Sequence, residues 1–532
     1  MVEATSGPEE PTGPDGPGGG RGATASAWAS GSVVVWGIAA GTLALHLATA
    51  GVYGLFIDEL YFLACGQHLA WGYVDMPPLT AVQAWLARSL FGDSMLAIRL
   101  FPALAGAGLV LLAGALAREL GGKRFAQGLA ALAVATAPGD LLAASYLSMN
   151  SIEPLLWMGC ALVLVRLIRT GNARLWLAFG LLAGIGLENK DTMLLFGFAL
   201  VAGLLLTPER RLMANRWFVA GGAIAFVIFL PNLVWMIQHH FPHLEMLANI
   251  RRSGRNVELS PLQFIAQQAI LTGPLATPIW VAGLGRLLAG RAARPFRALG
   301  LAYVVTIAVL IALDGRVYYP LPAYAMLFAA GAVALEAGLA RPRLAWAKPA
   351  AAAAVALAGA LLAPLAMPLL SPTTYLRYTA AIHLDQPRIE HRKASALPQL
   401  FADRFGWPEM ARAVAKAYFA LPLAERARCA IFGNDYGQAG AIDFYGPALG
   451  LPRAISGHLS YWYWGPRGYT GDVMLVMGDR REVLEREFAE VQPVAEIGQR
   501  YAMAQEHFTL YLCRKPKGWT LATAWPRLKV WD

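Results

Sequence analysis

Charge is scarce in this chain. Asp, Glu, Lys and Arg make up 15% of its 532 residues, hydrophobic residues make up 57%, and the mean hydropathy is +0.46. That balance excludes an ordinary soluble protein, and the repeated uncharged runs leave a polytopic membrane protein as the class. Cysteine is scarcer still, and four residues make no disulfide framework. Cys65 and Cys160 fall in or near apolar spans, where a thiol is mostly a small packing group. Cys429 and Cys513 lie in a polar region, where pairing is open to them. HExxH and CxxC are missing, and no Gly-x-Ser element forms a strand-to-helix elbow, which argues against soluble-hydrolase chemistry. No short basic segment precedes the first apolar run, so that run reads as an uncleaved span. The residues before it, 1–30, are rich in Gly, Pro, Ser and Thr and read as a disordered cytoplasmic tail.

What is present is organised by side. Apolar windows lie near 33–53, 96–117, 124–138, 152–168, 175–188, 192–207, 217–237, 265–288, 298–313, 320–338 and 349–370. They amount to about eleven spans, two of them short. The net charge of +10 does not point to nucleic acid, because the arginines gather in short loops between spans. Loops holding Arg118 and Arg124, Arg166 and Arg174, Arg210 and Arg216, Arg291 and Arg297, and Arg341 and Arg343 alternate with the rest. The positive-inside rule puts them in the cytoplasm. The expected fold is therefore a polytopic α-helical membrane domain over 31–371, followed by an extracytoplasmic α/β domain over 372–532. In the latter, 428–433, 472–478 and 508–512 read as strands, and 408–420 and 480–489 as helices.

Nearly every ionisable group that looks out of place falls in the other set of loops. Asp58 and Glu59 come first, at the mouth of the membrane, where charge is costly and usually functional. Two close carboxylates raise one another's pKa, which suits a general base with an orienting partner; the bland alternative is a solvated helix end. Glu153 precedes Pro154 and opens a span, where a carboxylate also favours the helix dipole. Lys190 is either neutralised by Glu188 and Asp191 or free to meet a phosphate. Arg316 offers the same choice beside Tyr318 and Tyr319, which suit the interface. Arg251, Arg252 and Arg255 break the positive-inside rule and meet either anionic headgroups or an anion in a site. The run His239-His240-Phe241-Pro242-His243 invites a metal reading, but Pro242 spoils helical ligand spacing, and no metal or other cofactor is indicated.

These stretches resemble the GT-C membrane glycosyltransferases, in particular the protein O-mannosyltransferase-like group (glycosyltransferase family 39), whose relatives include the lipid A aminoarabinose transferase. The resemblance rests on Ile57-Asp58-Glu59-Leu60-Tyr61-Phe62, Asp75-Met76-Pro77-Pro78-Leu79, Asn150-Ser151-Ile152-Glu153-Pro154-Leu155, Gly186-Leu187-Glu188-Asn189-Lys190 and the segment from Gly315 to Tyr324. It runs over roughly 33–340 and departs at Glu153, where many relatives have Asp. It implies a polyprenyl-phosphate-linked sugar donor and transfer at the outer face of the cytoplasmic membrane. The acceptor hydroxyl would belong to an envelope polysaccharide, lipid or protein. It further implies that Asp58 is the base, that the anomeric carbon inverts, and that Lys190 and Arg316 hold the lipid phosphate. The rival reading is a transporter or flippase of a lipid-linked or anionic solute, which would want inverted repeats and charges near span midpoints.

Overall fold

In the computed structural model of the chain, residues 19–254, 258–383 and 395–532 are described, with side chains from residue 32 onward. Most of the expected tail, residues 1–18, lies outside that set, as does Arg255; from Gly19 the backbone already belongs to the first helix, α1 (Gly19–Thr49). Among the described residues, seven helical segments are long and apolar enough to cross a membrane: Ser32–Thr49, Met95–Glu119, Met149–Thr170, Arg216–Gln238, Arg291–Ala312, Leu321–Gly338 and Pro342–Ala366. The other four of the eleven apolar windows hold shorter helices. Helices Arg124–Thr136, Leu175–Leu187 and Thr192–Leu205 are 13 or 14 residues long. At the usual rise of about 1.5 Å per residue they reach only about 20 Å. The 265–288 window is two helices, Pro261–Thr272 and Thr277–Ala289. Gly273 at φ 87°, followed by Pro274, breaks the ladder between them.

After α1 the chain makes two short helices, α2 (Ile57–Gln67) and α3 (Leu79–Phe91), before α4 (Met95–Glu119) re-enters the apolar bundle. Ser94 caps α4 by accepting the Ala97 N–H at 3.2 Å. The two sets of loops each close on themselves. On the arginine-rich side Glu119 pairs with Arg166 and Arg169, and Glu336 accepts the backbone N–H groups of Lys123 and Ala126. On the other side the Leu79 N–H meets the Glu188 carbonyl at 2.8 Å, Asn189 donates to the Met149 carbonyl, and Gln268 to that of Val317.

The C-terminal region carries a four-stranded sheet of β1 (Cys429–Gly433), β2 (Val473–Met477), β3 (Phe488–Ile497) and β4 (Phe508–Pro516), ordered β1-β2-β4-β3. β1 and β2 are parallel and the other pairs antiparallel. The two parallel strands are buried at every residue, which is why they read as unbroken apolar runs. β3 is an edge strand, exposed over most of its length, and the expected 480–489 helix stops at Glu487 to make way for it. Cys429 and Cys513 do not pair. β2 lies between their strands, a separation of about 9–10 Å at the usual strand spacing, and they face different cores. One face of the sheet, through Ile431, Leu475 and Leu512, shares a single core with Leu55, Ile57, Leu60 and Tyr61 of the first loop. The α/β domain is thus fused to the acid-bearing loops, not tethered beside them.

Candidate active site

Asp58 and Glu59 stand one residue apart on α2 and so project in different directions. Glu59 turns inward and is fully buried. It takes the Arg99 guanidinium on both oxygens, at 2.6 and 3.0 Å, and the N–H groups of Phe56 and Leu147 at 2.9 Å each. Burial alone would raise its carboxyl, but the charge and hydrogen bonds of Arg99 outweigh that and hold it below the ordinary value. The remaining guanidinium N–H groups of Arg99 close the turn by donating to the carbonyls of Ala50 and Gly54, at 2.5 and 2.8 Å. A second buried cation, Arg404 of the C-terminal domain, adds to the field on Glu59. Its carbonyl oxygen would lie 2.4 Å from a Cβ at position 54, so only glycine fits there.

Asp58 turns toward the C-terminal domain, where the Tyr436 hydroxyl donates to its Oδ1 at 2.7 Å. That contact depends on a close crossing of α2 by helix Tyr436–Tyr445. A Cβ on Gly440 would sit 2.9 Å from the Leu60 carbonyl carbon, so the helices meet where one side lacks a side chain. A second carboxylate, Asp75, feels the charge of Asp58. Burial raises the Asp75 carboxyl to about 7; the Tyr61 hydroxyl lowers it and the charge of Asp58 raises it further. Tyr61 donates to Asp75 at 2.8 Å, meets Ser460 at 2.7 Å, and packs its ring 5.2 Å from that of Tyr436.

Lys190 gathers the other candidates. It is not neutralised by its sequence neighbours, since Asp191 lies 3.5 Å from His243 and Glu188 makes no bond to it. Its ammonium donates instead to Asn150 at 2.8 Å and Glu153 at 2.9 Å, and lies 4.6 Å and 5.5 Å from the ring centres of Tyr319 and Tyr318. Burial opposes its charge, but Glu153 and the two tyrosines more than restore it and keep the amine above its ordinary value. Glu153 is buried and also accepts from the Thr192 hydroxyl. Tyr319 is pushed up to about 12 by burial, with Lys190 and Arg316 acting against the rise, so Arg316 faces the same cluster. Tyr146 lies within electrostatic reach of both Asp58 and Tyr318.

Arg251 and Arg252 are not drawn into this group. Both are exposed near the end of helix Pro242–Ser253, whose buried Met246 and Ile250 face the core under the sheet. The histidines are also dispersed. His239 stacks on Trp235 with ring centres 4.0 Å apart, while His243 reaches Asp191. Asp75, Tyr436 and Asn150 are the site residues that sequence reasoning passed over. Asp75 had a signal, its place in the same loop as Asp58, whereas Tyr436 had none.

A family model described as dolichyl-phosphate-mannose-protein mannosyltransferase matches residues 75–235, which takes in Asp75, Glu153 and Lys190 but neither Asp58 nor Arg316. The lipid A galacturonosyltransferase RgtD of Rhizobium johnstonii is 28% identical over 247 residues, 44% of this chain and 50% of its own. The crystal structure of ArnT from Cupriavidus metallidurans bound to undecaprenyl phosphate superposes with a TM-score of 0.61 over 89% of this chain and 97% of that one, at 15% identity. Its apo form gives 0.57 over 92% and 98%, at 16%. The chain shares with ArnT a fold of membrane helices and a small sheet domain at the C-terminus. The aligned stretch spans half the length of RgtD.

Proposed function

We propose that the protein is a glycosyltransferase that moves a sugar from a polyprenyl-phosphate donor to an acceptor hydroxyl at the outer face of the cytoplasmic membrane. The observation that carries this reading is the pairing of two unlike groups, an aspartate held by Tyr436 and a cation group of Lys190 and Arg316 bordered by tyrosines, with Tyr146 in electrostatic reach of both. Both groups lie in loops that end membrane helices, where a lipid phosphate is in reach.

In the reaction, the acceptor O–H breaks as its proton passes to the Asp58 carboxylate. The oxygen bonds to the anomeric carbon from one side while the bond from that carbon to the phosphate oxygen breaks on the other, so the centre inverts. Lys190 and Arg316 receive the charge that develops on the leaving phosphate. Tyr436 fixes one carboxylate oxygen, and Glu153 holds the ammonium of Lys190 in place. Glu59 acts on none of these atoms; its role is to set the turn that carries Asp58. The likeness to RgtD and to ArnT with its bound undecaprenyl phosphate supports a lipid-linked donor.

The test is single-turnover transfer from a purified polyprenyl-phosphate sugar in detergent, with donor binding measured in parallel. Asp58→Asn should slow transfer by roughly 100-fold or more, the usual worth of general-base catalysis, and leave donor binding intact. Near-normal transfer by that variant would sink the assignment of the base.

A further inference from the structure

At the far end of α2 from Asp58, about 15 Å along the helix at the usual rise per residue, three groups converge with nothing so far to do. Arg453 and Arg467 of the C-terminal domain both point a guanidinium nitrogen at the Nε2 of His68, at 3.2 and 3.3 Å. A neutral imidazole has one acceptor lone pair, so it cannot satisfy two such donors. Burial and then the two arginines hold His68 down at about 4, so the ring is neutral and offers no charge to balance theirs. The nearest carboxylate, Asp443, is 3.9 Å from Arg467 and already accepts from the Ala454 N–H and the Tyr461 hydroxyl. Among the described residues the buried Nε of Arg467 has no hydrogen-bond partner. Two cations are gathered with less than the matching negative charge, which is an unfavourable arrangement for an empty site and a suitable one for an anion.

The surroundings indicate what kind of anion. His68 stacks on Trp464, ring centres 4.3 Å apart, and is followed by Leu69 and Trp71, which are 49% and 61% exposed. That loop is tied to a membrane-spanning helix: Asn232 of Arg216–Gln238 donates to the Trp71 carbonyl at 2.6 Å, and Gly72 lies against Trp235. Trp235, His239 and Tyr463 form a ring stack beside it, the composition of a bilayer interface. Cationic groups therefore stand next to exposed apolar ones at the level where lipid headgroups lie.

We infer that Arg453, Arg467 and His68 form a subsite for the anionic headgroup of a lipid, a phosphate monoester or carboxylate, with its chains against Leu69 and Trp71. If the transfer reading above holds, this subsite anchors the acceptor and makes that acceptor an anionic lipid, at the opposite end of α2 from the base. The subsite itself stands on the geometry alone.

The experiment measures binding of fluorescent phosphatidate to the full-length protein in neutral detergent, with phosphatidylcholine and inorganic phosphate as competitors. Arg453→Ala is the main variant, because Arg453 is exposed and its loss leaves the core untouched. Arg467→Lys, which keeps a charge near Asp443, is the second. Phosphatidate affinity should fall tenfold or more in Arg453→Ala and fall less in Arg467→Lys. Phosphatidylcholine should not compete, and inorganic phosphate should compete only at far higher concentration. Unchanged phosphatidate affinity in a folded Arg453→Ala protein would overturn the subsite, and free phosphate binding as tightly as phosphatidate would overturn its lipid character. Should polyprenyl phosphate prove indifferent to Lys190 while phosphatidate still depends on Arg453, the donor reading falls and the headgroup subsite remains.

Discussion

The chain holds two buried ion pairs made of the same chemistry, and they do different things. In Arg99–Glu59 the side chains are 2% and 0% exposed; in Lys190–Glu153 they are 12% and 4% exposed. The first carboxylate is saturated by a bidentate guanidinium and two backbone N–H groups. Its cation is used up on the carbonyls of the turn. The second pair leaves an ammonium lying against tyrosine faces, with Arg316 acting on the same ring. A saturated pair is a strut, and one whose cation keeps a face toward aromatic rings is the pair proposed above to meet a ligand. Burial alone does not separate the two; counting the partners does.

The comparison breaks most visibly under mutation of its acids. Glu59→Gln leaves Arg99 buried beside a neutral group, and removing one partner of such a pair costs about 3–5 kcal/mol. The variant should unfold at a markedly lower temperature in detergent, or fail to accumulate. Glu153→Gln should cost less, because Lys190 keeps Asn150 and the tyrosine rings and is closer to solvent. Equal losses of melting temperature in the two variants would show that both pairs are struts.

The cations sharpen the contrast from the other side. Lys190→Met and Arg316→Ala should each weaken polyprenyl-phosphate binding by about 1.5–3 kcal/mol, the range for a hydrogen bond to a charged group. Folding should survive. The unglycosylated lipid should suffer as much as the sugar-bearing donor, since the contact is to the phosphate. Titration of both lipids against each variant decides it, and undiminished affinity would remove the residue from the site.

How much of this could be read from the chain follows from distance and type of contact. The seven long spans were visible because apolar length is a local property. Lys190 and Tyr319 were each visible as charges or aromatics in the wrong company, though not their meeting. The Asp58–Glu59 pair was read from adjacency alone, whereas α2 turns the two side chains toward different partners, Tyr436 and Arg99. Arg99, the partner of Glu59, lies 40 residues on, inside an apolar span where a lone arginine carries no label of its role. Tyr436 reaches Asp58 across 378 residues. Nothing local distinguishes it from any other tyrosine after a turn. β3 was hidden for a different reason: an exposed edge strand with Glu490, Pro493 and Glu496 lacks the apolar alternation that marks a strand.

Asp75 gives the finest test of the comparison, since no cation is among the groups that shift its carboxyl; a tyrosine and its own backbone N–H hold it instead. Its charged neighbour is Asp58, and burial with that charge lifts its carboxyl to about 7, against an ordinary value of 3.8. Between those values the folded protein keeps a proton that the unfolded chain gives up. Its contribution to stability is therefore complete below about pH 4 and is lost as pH rises toward about 7. Above that the contribution stays flat. This slope is the reverse of the one expected from Glu59, whose depressed carboxyl loses its contribution as the pH falls. Asp75→Asn should flatten the decline in melting temperature between pH 4 and 7, with no new slope in its place. Tyr61→Phe removes a donor that favours the anion, so it should move the end of the decline upward by a fraction of a pH unit, the smallest of these effects. The measurement is melting temperature against pH for the three proteins in one detergent. A melting temperature that declines through this window by as much in Asp75→Asn as in the wild type would show that Asp75 takes up no proton on folding.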